Sequence, residues 1–142
     1  MKIFLVEDNP GDVVLTREAL KEVVGRGFEM EVATDGAIAL LKIDQICKGN
    51  LPLPDLFFLD LNLPKVHGKD VLRYIRTHAQ IQNIPVIVIS TSSRQEDWKI
   101  IEEYKNSVYV VKPMNFIDFI QALQNAADTL GIGKPQRRSL PV

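Results

Sequence analysis

The sequence predicts an α/β fold of the doubly wound class, in which five parallel strands form one sheet in the order 2-1-3-4-5. Two observations carry this prediction. Short apolar runs rich in β-branched or aromatic residues alternate with longer runs in which apolar residues recur at helical spacing. Such alternation is typical of right-handed βαβ units. Five units of each kind fit into about 130 residues, which suits the 2-1-3-4-5 order.

The five predicted strands differ in how deeply the sheet buries them. Four runs are almost continuously apolar, which is typical of strands covered by helices on both faces. They are residues 3–6, 56–59, 86–89 and 108–111. The remaining run, residues 29–33, alternates between charged and apolar residues and therefore predicts a half-exposed edge strand.

Five helices are predicted between and after these strands. The first follows Asp12, which is a candidate N-cap, and the second ends near Gly49. The fifth has the clearest pattern, since it begins after Asn115 and is closed by Gly131. The apolar positions that define the helices fall within residues 15–23, 37–44, 71–75, 100–104 and 116–127.

Composition and length predict one cytoplasmic domain. The chain has 142 residues, with 17 basic and 18 acidic side chains and a formal net charge of −1. This balance gives no reason to expect binding to nucleic acid or to an acidic membrane, and no apolar run approaches the roughly 20 residues of a membrane span. A single cysteine, Cys47, excludes an intrachain disulfide and suits a reducing compartment. We expect the domain to cover residues 1–131, with an irregular C-terminal extension over residues 132–142.

Polar side chains collect where the predicted strands end. The first strand ends in Glu7 and Asp8, the third in Asp60, the fourth in Ser90 and the fifth in Lys112. Ligands of open α/β sheets bind beyond these carboxyl ends. The first strand is followed by EDNPGD rather than G-x-G-x-x-G, which argues against a dinucleotide-binding domain.

The chemistry of these five side chains predicts a metal-assisted phosphoryl acceptor. Three converging carboxylates repel one another, and a hard divalent cation such as Mg²⁺ would relieve the repulsion. The cation, Lys112 and a hydrogen bond from Ser90 could then balance the charge of a phosphoryl group. Asp60 lies between the acidic pair and the Ser/Lys pair in strand order, so we expect it to be the nucleophile that forms an aspartyl phosphate.

The ordered set of motifs resembles the receiver domain of two-component response regulators, which has a flavodoxin-like fold. The motifs are Glu7-Asp8, the run LDLNLP around Asp60, Ser90 and Lys112-Pro113. Ser90 lies 30 residues and Lys112 lies 52 residues after Asp60, as the pattern of the family requires. The resemblance covers residues 1–130.

The resemblance implies a role for each matching residue. Asp60 matches the phosphoacceptor, which takes a phosphoryl group from a phosphohistidine of a sensor kinase. Asp8 and Asp60 match side-chain ligands of Mg²⁺, with Glu7 acting through water and the backbone carbonyl of Asn62 completing the set. Glu7 stands where the family more often has Asp.

Further positions match the switch of the family. Ser90 matches the switch hydroxyl, here without the methyl group of Thr, and Lys112 matches the lysine that pairs with the phosphoryl oxygens. Tyr109 matches the aromatic residue that turns inward when the hydroxyl moves, although it could equally be a half-exposed strand aromatic. Asn62 and Ser92 match positions that tune the lifetime of the acyl phosphate. The resemblance implies a stand-alone phosphoacceptor signalling protein rather than an enzyme.

A finer resemblance concerns the subtype. The runs VEDNPGD, DLNLP and STSS are similar to those of small regulators paired with bacterial and cyanobacterial phytochromes, which carry a C-terminal extension and form homodimers. This implies a phytochrome-type histidine kinase as partner. It also implies a homodimer, either through the fifth strand with the fourth and fifth helices, where Trp98 is a candidate exposed residue, or through the extension. A phosphorelay intermediate or a chemotaxis-like regulator is the alternative.

Competing functions fit the residues less well. A haloacid-dehalogenase-like phosphatase needs a second Asp two residues after its nucleophile, where this chain has Asn62. A pseudo-receiver would not keep all the acidic, hydroxyl and lysine positions. His67 and His78 could suggest a histidine phosphotransfer protein, but that role is normally hosted by a helical bundle. The pair Arg137-Arg138 is too short for a nucleic-acid-binding patch.

Overall fold

A parallel sheet lies at the centre of the molecule. The computed structural model describes residues 1–63, 65–91 and 94–133. Within these ranges the strands follow the order β2-β1-β3-β4-β5, which confirms the predicted fold class. The strands are β1 (Lys2–Val6), β2 (Glu29–Ala33), β3 (Leu56–Asp60), β4 (Val86–Ser90) and β5 (Ser107–Val111). The helices are α1 (Pro10–Val24), α2 (Gly36–Cys47), α3 (Gly68–Arg76), α4 (Gln95–Glu102) and α5 (Phe116–Leu130).

Two layers of helices cover the sheet, and the alternation of strand residues decides which layer each side chain meets. Phe4 and Phe57 lie on one face, whereas Ile3 and Phe58 lie on the other, because successive strand side chains point in opposite directions. The first face packs against α2, α3 and α4, and the second face packs against α1 and α5. The strands β1, β3 and β4 are therefore buried on both faces, as predicted.

The two edge strands are less buried than the central ones. β2 is half-exposed, as its alternating sequence predicts. The prediction that the fifth strand is buried on both faces is wrong, because β5 forms the other edge of the sheet and its last residue, Val111, is 42% exposed. An apolar run alone does not distinguish an edge strand from a central one.

The start of α1 corrects another prediction. Asn9, not Asp12, is the N-cap, because the Asn9 side chain accepts a hydrogen bond from the backbone N–H of Asp12. Pro10 suits the first helical position, since its φ is already helical and it has no N–H to leave unpaired. At the other end of the chain, the predicted cap Asn115 and the closing residue Gly131, with φ 72°, are both confirmed.

Helix α4 begins earlier than its apolar positions suggest. It ends at Glu102, so that Tyr104 lies beyond it, and Ile100 is exposed. Trp98 is half-buried. No helix in the described ranges is long and apolar enough to cross a bilayer. Of the predicted C-terminal extension, residues 134–142 lie outside the described part of the chain.

Gly68 allows α3 to pack directly against the end of β3. A Cβ atom at this position would lie 2.7 Å from the carbonyl oxygen of Asp60 and 2.7 Å from the Cα of Leu61. The backbone N–H of Gly68 also donates to the carbonyl of Leu61 at 3.0 Å. The close approach fixes the backbone that carries Asp60.

Candidate functional site

A cavity of about 160 Å³ lies at the carboxyl end of the sheet. Five of the predicted site residues line it, which are Glu7, Asp60, Asn62, Ser90 and Lys112. Because parallel strands all end at the same edge, residues far apart in the chain meet here. The remaining lining residues are Asp12, Thr16, Ile89 and Thr91.

Three carboxylates form one side of the site. Glu7, Asp8 and Asp60 each offer an oxygen atom, and these atoms lie within 4.8 Å of one another. The strand register explains the arrangement, since Val6 of β1 pairs with Leu59 of β3 and the next residue on each strand is an acid. Glu7 is buried, Asp60 is half-buried and Asp8 is exposed.

Burial changes the acidity of Glu7. Removal from water raises the pKa of its carboxyl to about 8, and the neighbouring charge of Asp60 adds to the rise. The backbone N–H of Asn9 donates to Glu7 Oε2 at 3.2 Å and acts in the opposite direction. In the absence of a cation, much of Glu7 is therefore protonated at neutral pH.

The donor set fits a hard divalent cation. Carboxylate oxygens are the ligands that Mg²⁺ and Mn²⁺ prefer, and the exposed position of Asp8 leaves the site open to water ligands. The positive charge would also favour the ionised form of Glu7. One oxygen of Asp60 is already oriented, because the backbone N–H of Asn62 donates to Asp60 Oδ1 at 2.9 Å.

Ser90 and Lys112 form the opposite side of the cavity. Ser90 is buried, and its Oγ accepts a hydrogen bond of 3.2 Å from the side-chain amide of Asn62. The backbone N–H of Lys112 donates to the carbonyl of Ser90 at 2.7 Å, which joins the ends of β4 and β5. The Lys112 ammonium lies 2.6 Å from Asp12 Oδ1 and forms an ion pair with it.

Sequence reasoning missed Asp12 and Thr16 as residues of this cavity. They lie four positions apart on α1 and so share one face of that helix. The spacing is visible in the sequence, but the face that α1 turns toward β5 is not. An Asp in the first turn of a helix is ordinarily interpreted as a favourable partner of the helix dipole.

Three other predicted residues, Tyr109, His67 and His78, do not line the cavity. Tyr109 is half-buried on β5, pairs with Val88 and packs against the core cluster beneath α2–α4. Ser92 lies outside the described residues. His67 caps α3 through its Nδ1, and the ring of His78 stacks on Tyr74 at 3.8 Å between centroids.

Comparisons with known proteins agree with this geometry. Residues 3–124 match the family model of the response regulator receiver domain. Response regulator Rcp1 from Synechocystis sp. is 35% identical over 123 residues, which cover 86% of this chain and 83% of Rcp1.

Solved structures support the same assignment. The crystal structure of the Mn²⁺-bound form of Rcp1 has a TM-score of 0.77 and 32% identity, with 99% of each chain covered. The phosphorylated cyanobacterial phytochrome response regulator RcpA has a TM-score of 0.77 and 35% identity, with 91% of this chain and 92% of RcpA covered. The resemblance predicted from the motifs, including that to phytochrome-associated regulators, is confirmed. The chain belongs to the response regulator receiver domain family of two-component signalling.

Proposed function

We propose that this response regulator accepts a phosphoryl group on Asp60 from a phosphohistidine of a sensor kinase. One observation carries the proposal. Asp60 lies in a cavity between Glu7 on one side and Ser90 and Lys112 on the other, so that groups able to hold a cation and groups able to hold phosphoryl oxygens face the same carboxylate.

The proposed reaction is an in-line transfer. An oxygen of the Asp60 carboxylate attacks the phosphorus, the P–N bond to the donor imidazole breaks, and the imidazole keeps the bonding electron pair and takes up a proton. The hydrogen bond from Asn62 N–H to Asp60 Oδ1 restrains the rotation of the carboxylate, which leaves Oδ2 as the attacking atom. The ammonium of Lys112 and the hydroxyl of Ser90 then contact the new phosphoryl oxygens.

The proposed cofactor is Mg²⁺, held by the side chains of Asp8 and Asp60, by Glu7 through water and by the backbone carbonyl of Asn62. The close approach of the three carboxylates supports this choice. When bound, the ion neutralises charge that develops on the phosphoryl oxygens. A Mn²⁺-bound form is known for the relative Rcp1.

The proposed switch joins Ser90 to Tyr109. The hydroxyl of Ser90 moves toward the phosphoryl group, and Tyr109 shifts further into the core that it already touches. The backbone link from Lys112 to Ser90 supports this coupling, because it ties the end of β4 to the strand that carries Tyr109. Asn62 and Ser92 are proposed to tune the lifetime of the acyl phosphate.

The proposed partners are a phytochrome-type histidine kinase and a second copy of this chain. The kinase assignment rests on the relative RcpA, a phytochrome response regulator. The proposed homodimer uses the face of α4, β5 and α5 or the extension, and the exposed apolar side chains of Ile100 and Val111 on that face support it. No contact with nucleic acid or membrane is proposed.

The proposal also covers location and domain limits. A cytoplasmic location is supported by the single cysteine, Cys47, which suits a reducing compartment. A receiver domain over residues 1–131, followed by an extension over residues 132–142, is supported by the end of α5 at Leu130 and its cap at Gly131.

Asp60→Asn tests the acceptor. With Mg²⁺ and acetyl phosphate, the wild type is expected to gain the mass of one phosphoryl group, and the variant is expected to gain none. Asp70→Asn is the control, since Asp70 is an exposed acid of α3 outside the cavity. Normal labelling of the Asp60 variant would contradict the assignment. Phosphotransfer from a phytochrome-type kinase and from a chemotaxis kinase, compared at equal concentration, tests the subtype.

A further inference from the structure

The partner of the Lys112 ammonium is unexpected. Its Nζ atom lies 2.6 Å from Oδ1 of Asp12, and the two side chains are 27% and 28% exposed. Asp12 belongs to α1, and Lys112 follows the end of β5, so the ion pair bridges two elements far apart in the chain. Both residues line the cavity that contains Asp60.

Capping of α1 does not account for the position of the Asp12 carboxylate. Asn9 provides the cap, and Asp12 contributes only its backbone N–H to that interaction, at 3.1 Å. An acid in the first turn also interacts favourably with the helix dipole, but this effect changes stability and does not require a contact with Lys112. The side chain is directed across the cavity to the ammonium.

We propose that Asp12 is a positioning residue that competes with the phosphoryl group for Lys112 and thereby limits how tightly the cavity holds that group. The inference rests on the proposed function of Asp60 and Lys112. An ammonium has three N–H donors but a single charge, and pairing with Asp12 offsets that charge before any phosphoryl group arrives. Asp12 therefore holds the lysine in the cavity and weakens its attraction for an anion.

The charge of Asp12 has opposite effects on the two species that the cavity receives. A carboxylate on the cavity wall repels an anionic phosphoryl group and attracts a cation. Removing this charge strengthens anion binding and weakens cation binding. Damage to the fold would instead weaken the binding of the anion and of the cation alike.

Asp12→Asn tests the proposal, because Asn keeps an oxygen that can accept a hydrogen bond from Lys112. Calorimetry with beryllium trifluoride, a phosphoryl mimic, in saturating Mg²⁺ is expected to show affinity about 1.4- to fivefold higher than in the wild type, the range for one partly exposed ion pair. Titration with Mg²⁺ alone is expected to show a lower affinity. Glu18→Gln is the control, since it removes an equal charge from the same helix, where Glu18 pairs with Lys21 outside the cavity.

Each outcome decides a separate point. Beryllium trifluoride affinity that is unchanged or lower in Asp12→Asn would overturn the inference while leaving the role of Asp60 intact. A wild type that does not bind the mimic would overturn the proposed function and the inference together. The NMR signal of the Lys112 ammonium in the metal-free protein gives a further measurement. It is expected to shift in Asp12→Asn and not in Glu18→Gln, and no shift in Asp12→Asn would overturn the direct contact.

Discussion

The two ends of the central sheet differ in how their charged side chains are balanced. At the carboxyl end, Glu7, Asp8 and Asp60 hold carboxylate oxygens within 4.8 Å of one another, and burial raises the pKa of Glu7 to about 8. A fourth acid, Asp12, also lines the cavity and pairs with Lys112. Charge at this end is concentrated and, without a ligand, unfavourable.

At the amino end, a single cation satisfies several backbone groups. The Arg76 guanidinium donates to the carbonyls of Ile84, Lys105 and Asn106 at 2.7–2.9 Å and to Ser107 Oγ at 3.0 Å. Ile84, Lys105 and Asn106 belong to the segments that lead into β4 and β5, and Ser107 is the first residue of β5. Burial lowers the pKa of Arg76 to about 10, which leaves the group charged at neutral pH.

The difference shows that charged groups destabilise the carboxyl end of the sheet and stabilise its amino end. The hydrogen bonds of Arg76 link the residues before β4 and β5 and so stabilise the amino end of the sheet. The carboxyl end keeps repulsion that a bound cation can relieve. Variants at the two ends should therefore respond differently to pH and to Mg²⁺.

The largest expected effect is at the amino end. Arg76→Met removes four hydrogen bonds from a charged donor and takes the donor from the Ile84 carbonyl, whereas the Lys105 and Asn106 carbonyls keep a second donor, and we expect the free energy of unfolding to fall by about 3–5 kcal/mol. Arg73→Met is the control, because Arg73 lies on the same helix and makes one exposed ion pair with Asp70. Its effect should stay below about 1 kcal/mol. Urea unfolding measures both, and equal losses would refute the assignment of a special role to Arg76.

The next effect depends on pH. Glu7 has an ordinary pKa of 4.5 and a folded pKa of about 8, so the folded chain binds more protons between these values. The metal-free wild type should therefore lose stability as pH rises through this window, by at most about 1.4 kcal/mol per pH unit. Glu7→Gln, which cannot ionise, should show a flatter profile.

Chemical unfolding with a chelator present, from pH 5 to pH 8, measures the slope. Glu18→Gln serves as the control because Glu18 is exposed and hydrogen bonding to Lys21 lowers its pKa, which places its titration below the window. If the slopes of the wild type and Glu7→Gln coincide, burial does not perturb Glu7.

A smaller effect should follow from adding the cation. Mg²⁺ binds the folded chain and, at ten times its dissociation constant, should raise the free energy of unfolding by about 1.4 kcal/mol. Binding near pH 7 should also release protons from Glu7, which calorimetry detects in buffers of different ionisation enthalpy. Asp8→Asn should lose most of the gain, whereas Asp70→Asn, outside the acidic cluster, should keep it. An equal gain in both variants would place the cation elsewhere.

The parts that the sequence predicts well share a physical basis. Strand order and the meeting of Glu7 with Asp60 follow from hydrophobic periodicity and parallel pairing, which act through the backbone. The ion pair between Asp12 and Lys112 was not predictable, because it depends on the rotation of α1 about its own axis. That rotation depends on how Ala19, Leu20 and Val23 pack against the sheet and α5.

Two predictions were wrong, the N-cap of α1 and the burial of β5, and in both the surroundings of the residue explain why. Asn9 and Asp12 are both good N-cap residues, and Pro10 decides between them by starting the helix at its own position. The exposure of Val111 follows from the edge position of β5, which the apolar run did not reveal. Asp12 is a residue type that caps helices, and the run that ends in Val111 does form a strand. In each case the neighbouring residues or strands, which the local pattern does not show, made the prediction wrong.

The smallest effect separates the two cap candidates. Asn9→Ala removes the acceptor for the backbone N–H of Asp12, and we expect a loss of about 1 kcal/mol in the free energy of unfolding. Asn50→Ala is the control, because Asn50 is exposed and its side chain donates a hydrogen bond to the exposed side chain of Gln45 rather than capping a helix N-terminus. Urea unfolding should place the control within about 0.5 kcal/mol of the wild type. A harmless Asn9→Ala would contradict the assignment of Asn9 as the residue whose side chain stabilises the start of α1.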